Sequence, residues 1–365
     1  MSEHRYIISG GGTGGHIFPA IAIANGIKAK YPNAEILFVG AKGKMEMDKV
    51  PQAGYEIIGL NITGMSRKSV FHNIPLMFKF VSSTLKSRKI LKKFKPNVVI
   101  GVGGYASGAV LQAAKALNID IVIQEQNSLP GKTNKMMANR AKAICVAYDG
   151  LEKYFPKEKI VMTGNPIRKE IINIETKNPA AFEYFKIKDD KPVVLIVGGS
   201  QGAKAINEAL AQNINSLSKS NANYIWQTGV QFYERAKSVI EENKAENVFC
   251  YDFIREMNYA YSVADVVVSR AGAIAISELC AVGLPSILVP LPTAAENHQM
   301  INAMSLVKKD AAKLVENSKV NEELVPTILE LLNNKNELEK LKTNIKSLAI
   351  TDSVDRIIDV IEKIK

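Results

Sequence analysis

Twice in this chain an apolar run of strand character ends in a glycine-rich turn and continues into a helical pattern. The first instance is Tyr6 to Gly15 (YIISGGGTGG) and the second Val193 to Gly202 (VVLIVGGSQG). A strand that feeds a helix through glycines is the opening of a doubly wound α/β domain, which takes its ligand where the strand order reverses. Two such openings in 365 residues call for two domains.

The remaining pattern agrees. Further strands are expected at 36–39, 56–59, 98–101, 121–124 and 143–146 in the first half. In the second half they are expected at 224–227, 248–250, 266–269, 286–289 and 313–315. Helical spacing fills the gaps, as at 19–30, 202–216 and 295–308. Strands that are apolar throughout and separated by helices belong to parallel sheets covered on both faces. The expected division is 1–165, 166–345 and a C-terminal helix over 346–365 that packs back on the first domain.

Charge is distributed unevenly. The net charge is +11, yet residues 1–165 hold 23 Lys+Arg against 10 Asp+Glu, a balance of +13, which leaves −2 for the remainder. No acid occurs between Ile57 and Ile119. The first half therefore suits an anionic surface or ligand. Nine lysines and arginines lie between Met65 and Lys95, interleaved with Val70, Phe71, Ile74, Leu76, Met77, Phe78, Phe80, Val81, Leu85, Ile90 and Leu91. Basic apolar segments of this kind lie on anionic leaflets, each lysine adding up to ~1 kcal/mol; a core helix with a solvated basic face is the competing reading.

No apolar run reaches the ~18 residues of a spanning helix, and the N-terminal residues do not resemble an export signal. Cys145, Cys250 and Cys280 are far apart and form no CxxC pair, as expected of reduced thiols. Nucleic acid is disfavoured as a partner, because 38 of the 47 basic residues are lysine and no recognition motif is present.

Three glycine-rich turns follow expected strands: Gly10–Gly15, Gly101–Gly108 and Gly198–Gly202. Such turns let backbone approach a ligand and aim N–H groups at anions. Gly10–Gly15 also satisfies GxGxxG, but the second strand ends Phe38-Val39-Gly40-Ala41-Lys42, without the acid that a dinucleotide ribose requires. In the second half, Ser269 to Glu278 (SRAGAIAISE) runs from strand through glycine into helix. Its N-terminal N–H groups suit a pyrophosphate, and the two oxygens of Glu278 suit a cis-diol.

Gly11-Gly-Thr-Gly-Gly-His16, Gly103-Gly-Tyr-Ala-Ser-Gly108, Glu125-Gln-Asn127, Gly164-Asn-Pro-Ile-Arg168, Gly198-Gly-Ser-Gln-Gly202 and the Ser277-Glu278 helix occur in that order. Together they resemble the MurG family, UDP-N-acetylglucosamine:lipid I transferases of peptidoglycan synthesis. The resemblance implies an α/β fold of GT-B type, two doubly wound Rossmann-like domains with parallel sheets facing across a cleft. It implies UDP-N-acetylglucosamine as donor, undecaprenyl-linked lipid I as acceptor, and peripheral attachment to the anionic inner leaflet at the cytoplasmic face of the cell membrane. It calls for no cofactor and no metal, in keeping with the absence of a DxD pair.

Carried over residue by residue, Thr13, Gly14 and Gly15 approach the donor sugar and diphosphate. Asn127 contacts the N-acetylglucosamine, and Arg168 and Ser200 the donor near the interdomain cleft. Leaving-group charge falls to Ser200, the Gln201 N–H and the helix after Gly272, with Arg168 adding a charge-assisted contact or, in its other reading, forming a surface salt bridge. Ile254 corresponds to a backbone contact with uracil. Ala273, Ile274, Ser277 and Glu278 correspond to the helix that holds phosphate and ribose, Gln299 to a sugar-hydroxyl contact, and Tyr105 to the acceptor side. One departure is Gln124, where the family often has His. Inversion in a single displacement needs a base, and two candidates stand open: His16, which a helix N-terminus favours as the neutral ring, and Glu125. Either residue also has a structural reading, His16 as loop cap or phosphate contact and Glu125 as an orienter of its neighbours. A UDP-sugar epimerase of the same fold is the alternative function; it would not need the basic apolar segment.

Overall fold

The computed structural model describes residues 4–64, 74–199, 201–294 and 297–364. The chain divides into two compact units, Met1–Ile167 with Thr351–Lys365, and Arg168–Ile350.

The first unit is built on seven parallel strands: β1 (Arg5–Gly10), β2 (Glu35–Ala41), β3 (Glu56–Leu60), β4 (Val98–Gly103), β5 (Asp120–Glu125), β6 (Ala143–Val146) and β7 (Ile160–Met162). Their order is β3-β2-β1-β4-β5-β6-β7, so the winding reverses between β1 and β4. Both faces of the sheet are buried. Tyr6, Ile8, Phe38, Val98 and Ile100 enter one core, while Ile7, Leu37, Val39, Val99 and Ile123 enter the other. Covering on both faces is why these strands read as continuous apolar runs.

The second unit has six parallel strands: β8 (Val193–Val197), β9 (Asn223–Gln227), β10 (Val248–Tyr251), β11 (Val266–Ser269), β12 (Ser286–Leu288) and β13 (Lys313–Leu314). They are ordered β10-β9-β8-β11-β12-β13, with reversal between β8 and β11. Trp226 is buried in its core, and its indole N–H donates to Asn207 Oδ1 at 2.9 Å.

Each of the twelve expected strands is present within two residues of its expected ends. The strand β7 was not expected: its three residues, Ile160-Val-Met162, sit part-buried at the sheet edge and form a run too short to stand out. The helix expected at 19–30 begins earlier, at Gly14, because the glycine turn itself supplies the first helical residues. The helix expected at 202–216 is broken at Asn213 (φ −106°, ψ 18°) into Lys204–Gln212 and Ile214–Ser218. Of the helix expected at 295–308, residues 295 and 296 lie outside the described residues, and the helix runs His298–Val307.

The last helix, Ser353–Ile364, belongs to the first unit. Its buried Ile357, Ile358 and Ile361 pack in the core formed with Ile23 and Ile27 of the helix Gly14–Lys30. Each such side chain contributes about 1.5–3 kcal/mol. Close approach requires Gly26, where a Cβ would stand 2.8 Å from Ile358 Cδ1. Lys30 Nζ pairs with Asp359 (3.3 Å) and Glu362 (2.9 Å), and the Tyr31 hydroxyl donates to Glu362.

Among the described residues no helix is long and apolar enough to cross a membrane. Of the basic apolar segment, residues 65–73, including Val70 and Phe71, lie outside the described residues. The rest forms the helix Ile74–Phe94. Its inward face carries Ser83, Ser87 and Leu91, whereas Met77 (64 %), Phe78 (73 %), Val81 (55 %) and Leu85 (56 %) are exposed. Leu91 and, partly buried, Phe80, Ile90 and Phe94 pack on the core, while the four exposed apolar side chains stand where a core helix would present a solvated polar face.

Candidate active site

In the first unit the reversal of strand order brings two glycine turns together. The turn after β1 leads into the helix Gly14–Lys30, and the turn after β4 into the helix Tyr105–Ala116. Gly104 adopts φ 87°, and a Cβ there would run into the backbone of Gly11, so the two turns touch. His16, in the first helical turn, lies against the second: a Cβ on Gly103 would be 2.8 Å from Nε2. Its Nδ1 is hydrogen-bonded to Thr13 Oγ1 at 3.2 Å. Thr13 and Gly15 are exposed and Gly14 is half-buried. Tyr105 is 55 % exposed, with its ring over Gly64.

Sequence reasoning missed the carboxylate beneath this turn. Glu46 is fully buried; Oε1 accepts from Ala41 N–H (2.9 Å) and Oε2 from Gly12 N–H (3.0 Å). An acid does follow the second strand, five residues beyond its end, and it is spent on the backbone of the glycine turn. The signal was one Glu in a mixed-charge stretch, which nothing in the sequence set apart.

Glu125 ends β5 and is 1 % exposed. Its Oε1 accepts from Asn127 N–H (3.0 Å) and Asn127 Nδ2 (3.3 Å), and its Oε2 from Gly131 N–H (3.0 Å) and Asn134 Nδ2 (2.8 Å). Burial raises its carboxyl above the usual range, against the pull of these donated bonds. Both oxygens are engaged in holding Asn127 and the segment after it, so this geometry lends no support to Glu125 as the base. Gln124, at the position where the family often has His, is also buried. Its amide donates to Asn165 Oδ1 (3.1 Å), and Asn165 in turn donates to the Gln126 carbonyl (3.0 Å).

In the second unit, Gly272 caps the helix Ala273–Val282, which starts beside the end of β11. Ala273 is buried, Ile274 is half-buried, and Ser277 Oγ bonds back to the Ala273 carbonyl at 3.0 Å. Glu278 is the next residue and is 6 % exposed. Its Oε1 accepts from Arg168 Nε (3.1 Å) and Nη2 (3.0 Å), and its Oε2 from the Tyr261 hydroxyl (3.2 Å). Burial first and the Glu278 charge second push the Tyr261 hydroxyl well above 10, so it remains a donor. Arg168, expected on the donor with a salt bridge as its other reading, is paired with the residue expected on the ribose.

Ile254 is 2 % exposed, and its N–H donates to Gln227 Oε1 (2.9 Å). The Gln227 amide donates to the Gly199 carbonyl (3.0 Å), tying the glycine turn after β8 to Ile254. The N–H half of the uracil contact expected at Ile254 is therefore occupied, a link that sequence alone did not disclose. Ser200 lies outside the described residues, and its neighbour Gln201 is exposed.

A cavity of about 700 Å³ opens at the reversal point between β8 and β11. Its walls include Gly198, Gly199, Gly202, Arg270, Gly272 and Gln299. The Gln299 Oε1 accepts the Leu291 N–H at 2.9 Å. The cavity thus gathers the glycine turn, the helix N-terminus and Gln299, whereas Glu278 and Ile254 lie outside its lining. Among the described residues no cluster of His, Cys, Asp and Glu is arranged to hold a metal ion.

Known proteins resemble this chain in sequence and in fold. Residues 6–146 match the glycosyltransferase family 28 N-terminal domain, and residues 193–357 its C-terminal domain. A UDP-N-acetylglucosamine–N-acetylmuramyl-(pentapeptide) pyrophosphoryl-undecaprenol N-acetylglucosamine transferase from Parabacteroides distasonis is 48 % identical over 364 residues, covering 100 % of this chain and 99 % of its own. Its counterpart from Flavobacterium psychrophilum is 49 % identical, with 100 % and 98 % covered. The crystal structure of Acinetobacter baumannii MurG superposes with a TM-score of 0.81 at 29 % identity, over 99 % of both chains. A UDP-GlcNAc 2-epimerase from Neisseria meningitidis, at 15 % identity and a TM-score of 0.63 over 99 % of this chain and 100 % of its own, shares the fold alone. The chain belongs to glycosyltransferase family 28, in its MurG group of N-acetylglucosamine transferases.

Proposed function

We propose that this protein is an inverting hexosyltransferase that moves N-acetylglucosamine from UDP-N-acetylglucosamine to the 4-hydroxyl of the N-acetylmuramyl unit of undecaprenyl-linked lipid I. The observation that carries the reading is near-half identity, over the whole chain, to transferases of that name.

The second unit holds the donor. Glycine-turn N–H groups and the N-terminus of the helix Ala273–Val282 face the diphosphate, Gln299 a sugar hydroxyl, and Ile254 the uracil through its carbonyl, its N–H being held by Gln227. Glu278 takes the ribose diol. An ionised carboxylate offers about four lone-pair sites, and Arg168 and Tyr261 use three of them. Two ribose hydroxyls therefore displace at least one bond from Arg168, whose half-exposed guanidinium has room to leave.

In the first unit His16 is the base for the acceptor hydroxyl. Its place in the first turn of a helix favours the neutral ring, and the bond to Thr13 orients it. Glu125 is a positioning residue for Asn127. The proton of the acceptor hydroxyl passes to His16, the oxygen attacks the anomeric carbon, and the bond to the β-phosphate breaks with its electron pair on UDP. Tyr105 lies on the acceptor side. The outward apolar row of the helix Ile74–Phe94, with Lys86, Arg88, Lys89, Lys92 and Lys93 further along it, rests on the anionic inner leaflet, which places the protein at the cytoplasmic face as a peripheral component.

The test is UDP release from UDP-N-acetylglucosamine with and without a short-chain lipid I analogue. Release only with acceptor is expected, and Glu278→Ala raises the donor KM with the fold retained. Conversion of the donor sugar in the absence of acceptor would move the assignment to an epimerase.

A further inference from the structure

Glu46 is a buried carboxylate that the proposed chemistry leaves without a task. It opens the short helix Glu46–Gln52 and is fully buried. Among the described residues no lysine, arginine or histidine pairs with it; its partners there are two backbone N–H groups. Oε1 accepts from Ala41 (2.9 Å), at the end of β2, and Oε2 from Gly12 (3.0 Å), in the turn after β1. Taking a carboxylate out of water without a cation beside it is costly, and an apolar side chain would fill the same space without that cost. What the carboxylate adds is a fixed acceptor for these two N–H groups.

Its surroundings are shaped to admit it. A Cβ on Gly40 would stand 2.6 Å from Glu46 Cγ, and one on Gly11 would overlap Oε1. Gly11 also meets the second glycine turn, because a Cβ on Gly104 would run into its backbone. The first turn is therefore held against both Glu46 and Gly104. Gly12 has φ 88° and no side chain of its own to fix it, so the bond to Glu46 is what restrains its peptide. From there the chain runs directly to His16. Thr13 is extended (φ −149°, ψ 156°), its carbonyl accepts the N–H groups of His16 (3.1 Å) and Ile17 (3.3 Å), and its Oγ1 is bonded to His16 Nδ1 (3.2 Å).

We infer that Glu46 is a positioning residue for His16: by holding the Gly12 N–H it sets where Thr13 stands, and through Thr13 where the imidazole lies against Gly103. The inference rests on the transferase reading with His16 as base, and adds the group that fixes the base in place. A reacting group displaced by about 1 Å loses about 10²-fold in rate, so one bond beneath the turn has leverage on kcat without touching substrate.

The experiment is steady-state transfer from UDP-N-acetylglucosamine to a short-chain lipid I analogue by the full-length protein. The variants are Glu46→Gln, Gly40→Ala, His16→Ala, and each of the first two combined with His16→Ala. Glu46→Gln conserves shape, but its amide oxygen accepts from only one of the two N–H groups. Gly40→Ala keeps the carboxylate and crowds its Cγ. The expected result is a fall in kcat of about ten- to hundredfold for Glu46→Gln, and a smaller one for Gly40→Ala, with the donor KM held within about twofold. In the His16→Ala background the same two substitutions should change kcat by less than about twofold, because the group they position is gone. A loss of folded protein lowers kcat by the same factor in both backgrounds; that additivity, or an unaltered kcat in both single variants, would overturn the inference. His16→Ala with the wild-type kcat would instead refute the reading of His16 as base.

Discussion

Replacing Glu125 with glutamine separates the two roles open to that residue. The carboxylate is almost wholly buried and accepts two bonds on each oxygen. Glutamine conserves shape but turns one oxygen into a donor. Whichever way the amide lies, its NH2 faces two N–H groups, from Asn127 or from Gly131 and Asn134. Two donors, buried or part-buried, then lose their acceptor, at up to about 1–3 kcal/mol each, for a total of at most roughly 2–6 kcal/mol. The first unit has about 180 residues, for which each kcal/mol is worth about 2–4 °C, so its melting temperature should fall by roughly 4–24 °C. Scanning calorimetry of the full chain should show that transition move while the transition of the second unit stays in place. Activity should fall with the folded fraction and recover in part at lower temperature. A general base predicts the opposite pattern: unchanged melting with kcat down about 10²–10⁴-fold. Observation of that pattern would refute the positioning role and return Glu125 to the chemistry.

Two further predictions concern the C-terminal helix. Gly26→Val places a branched side chain where even a Cβ meets Ile358; overpacking of this kind costs about 1–3 kcal/mol or more, so protease cleavage near residue 351 should accelerate while the second unit remains intact. Glu362 titrates below the usual carboxylate value, first through the Tyr31 hydroxyl bond and then through Lys30. A depressed folded pKa contributes stability that is present above the ordinary value of 4.5 and lost as pH falls through the lowered one. Urea midpoints measured from neutral pH down through that window should decline, and Glu362→Gln should flatten that part of the decline; an unchanged slope would remove Glu362 from the tether.

The fold was legible because doubly wound sheets write themselves plainly: buried parallel strands are apolar throughout, and glycine turns mark the reversal points. What escaped was of another kind. The strand Ile160–Met162 lies at a sheet edge and its apolar run is only three residues long, and the break at Asn213 depends on packing rather than propensity. The helix Ile74–Phe94 was recognisable as basic and apolar, but which of its faces turns outward became plain only with Ser83 and Ser87 seen buried. In the candidate site, glycines and the Ser277-Glu278 helix declared themselves by spacing. Partnerships did not: the contact of Glu46 with Gly12, that of Arg168 with Glu278, and the bridge of Gln227 between Gly199 and Ile254 join residues from 27 to 110 positions apart. No periodicity relates such residues, and only the closed fold brings them into contact.

The most direct test of the account is the linkage in the product. Full-length protein, UDP-N-acetylglucosamine and a short-chain lipid I analogue should yield one disaccharide-lipid, and its proton NMR spectrum should show a β-anomeric signal correlated to C4 of the N-acetylmuramyl ring. An α-linked product, a bond at another hydroxyl, or donor conversion without any lipid product would contradict it.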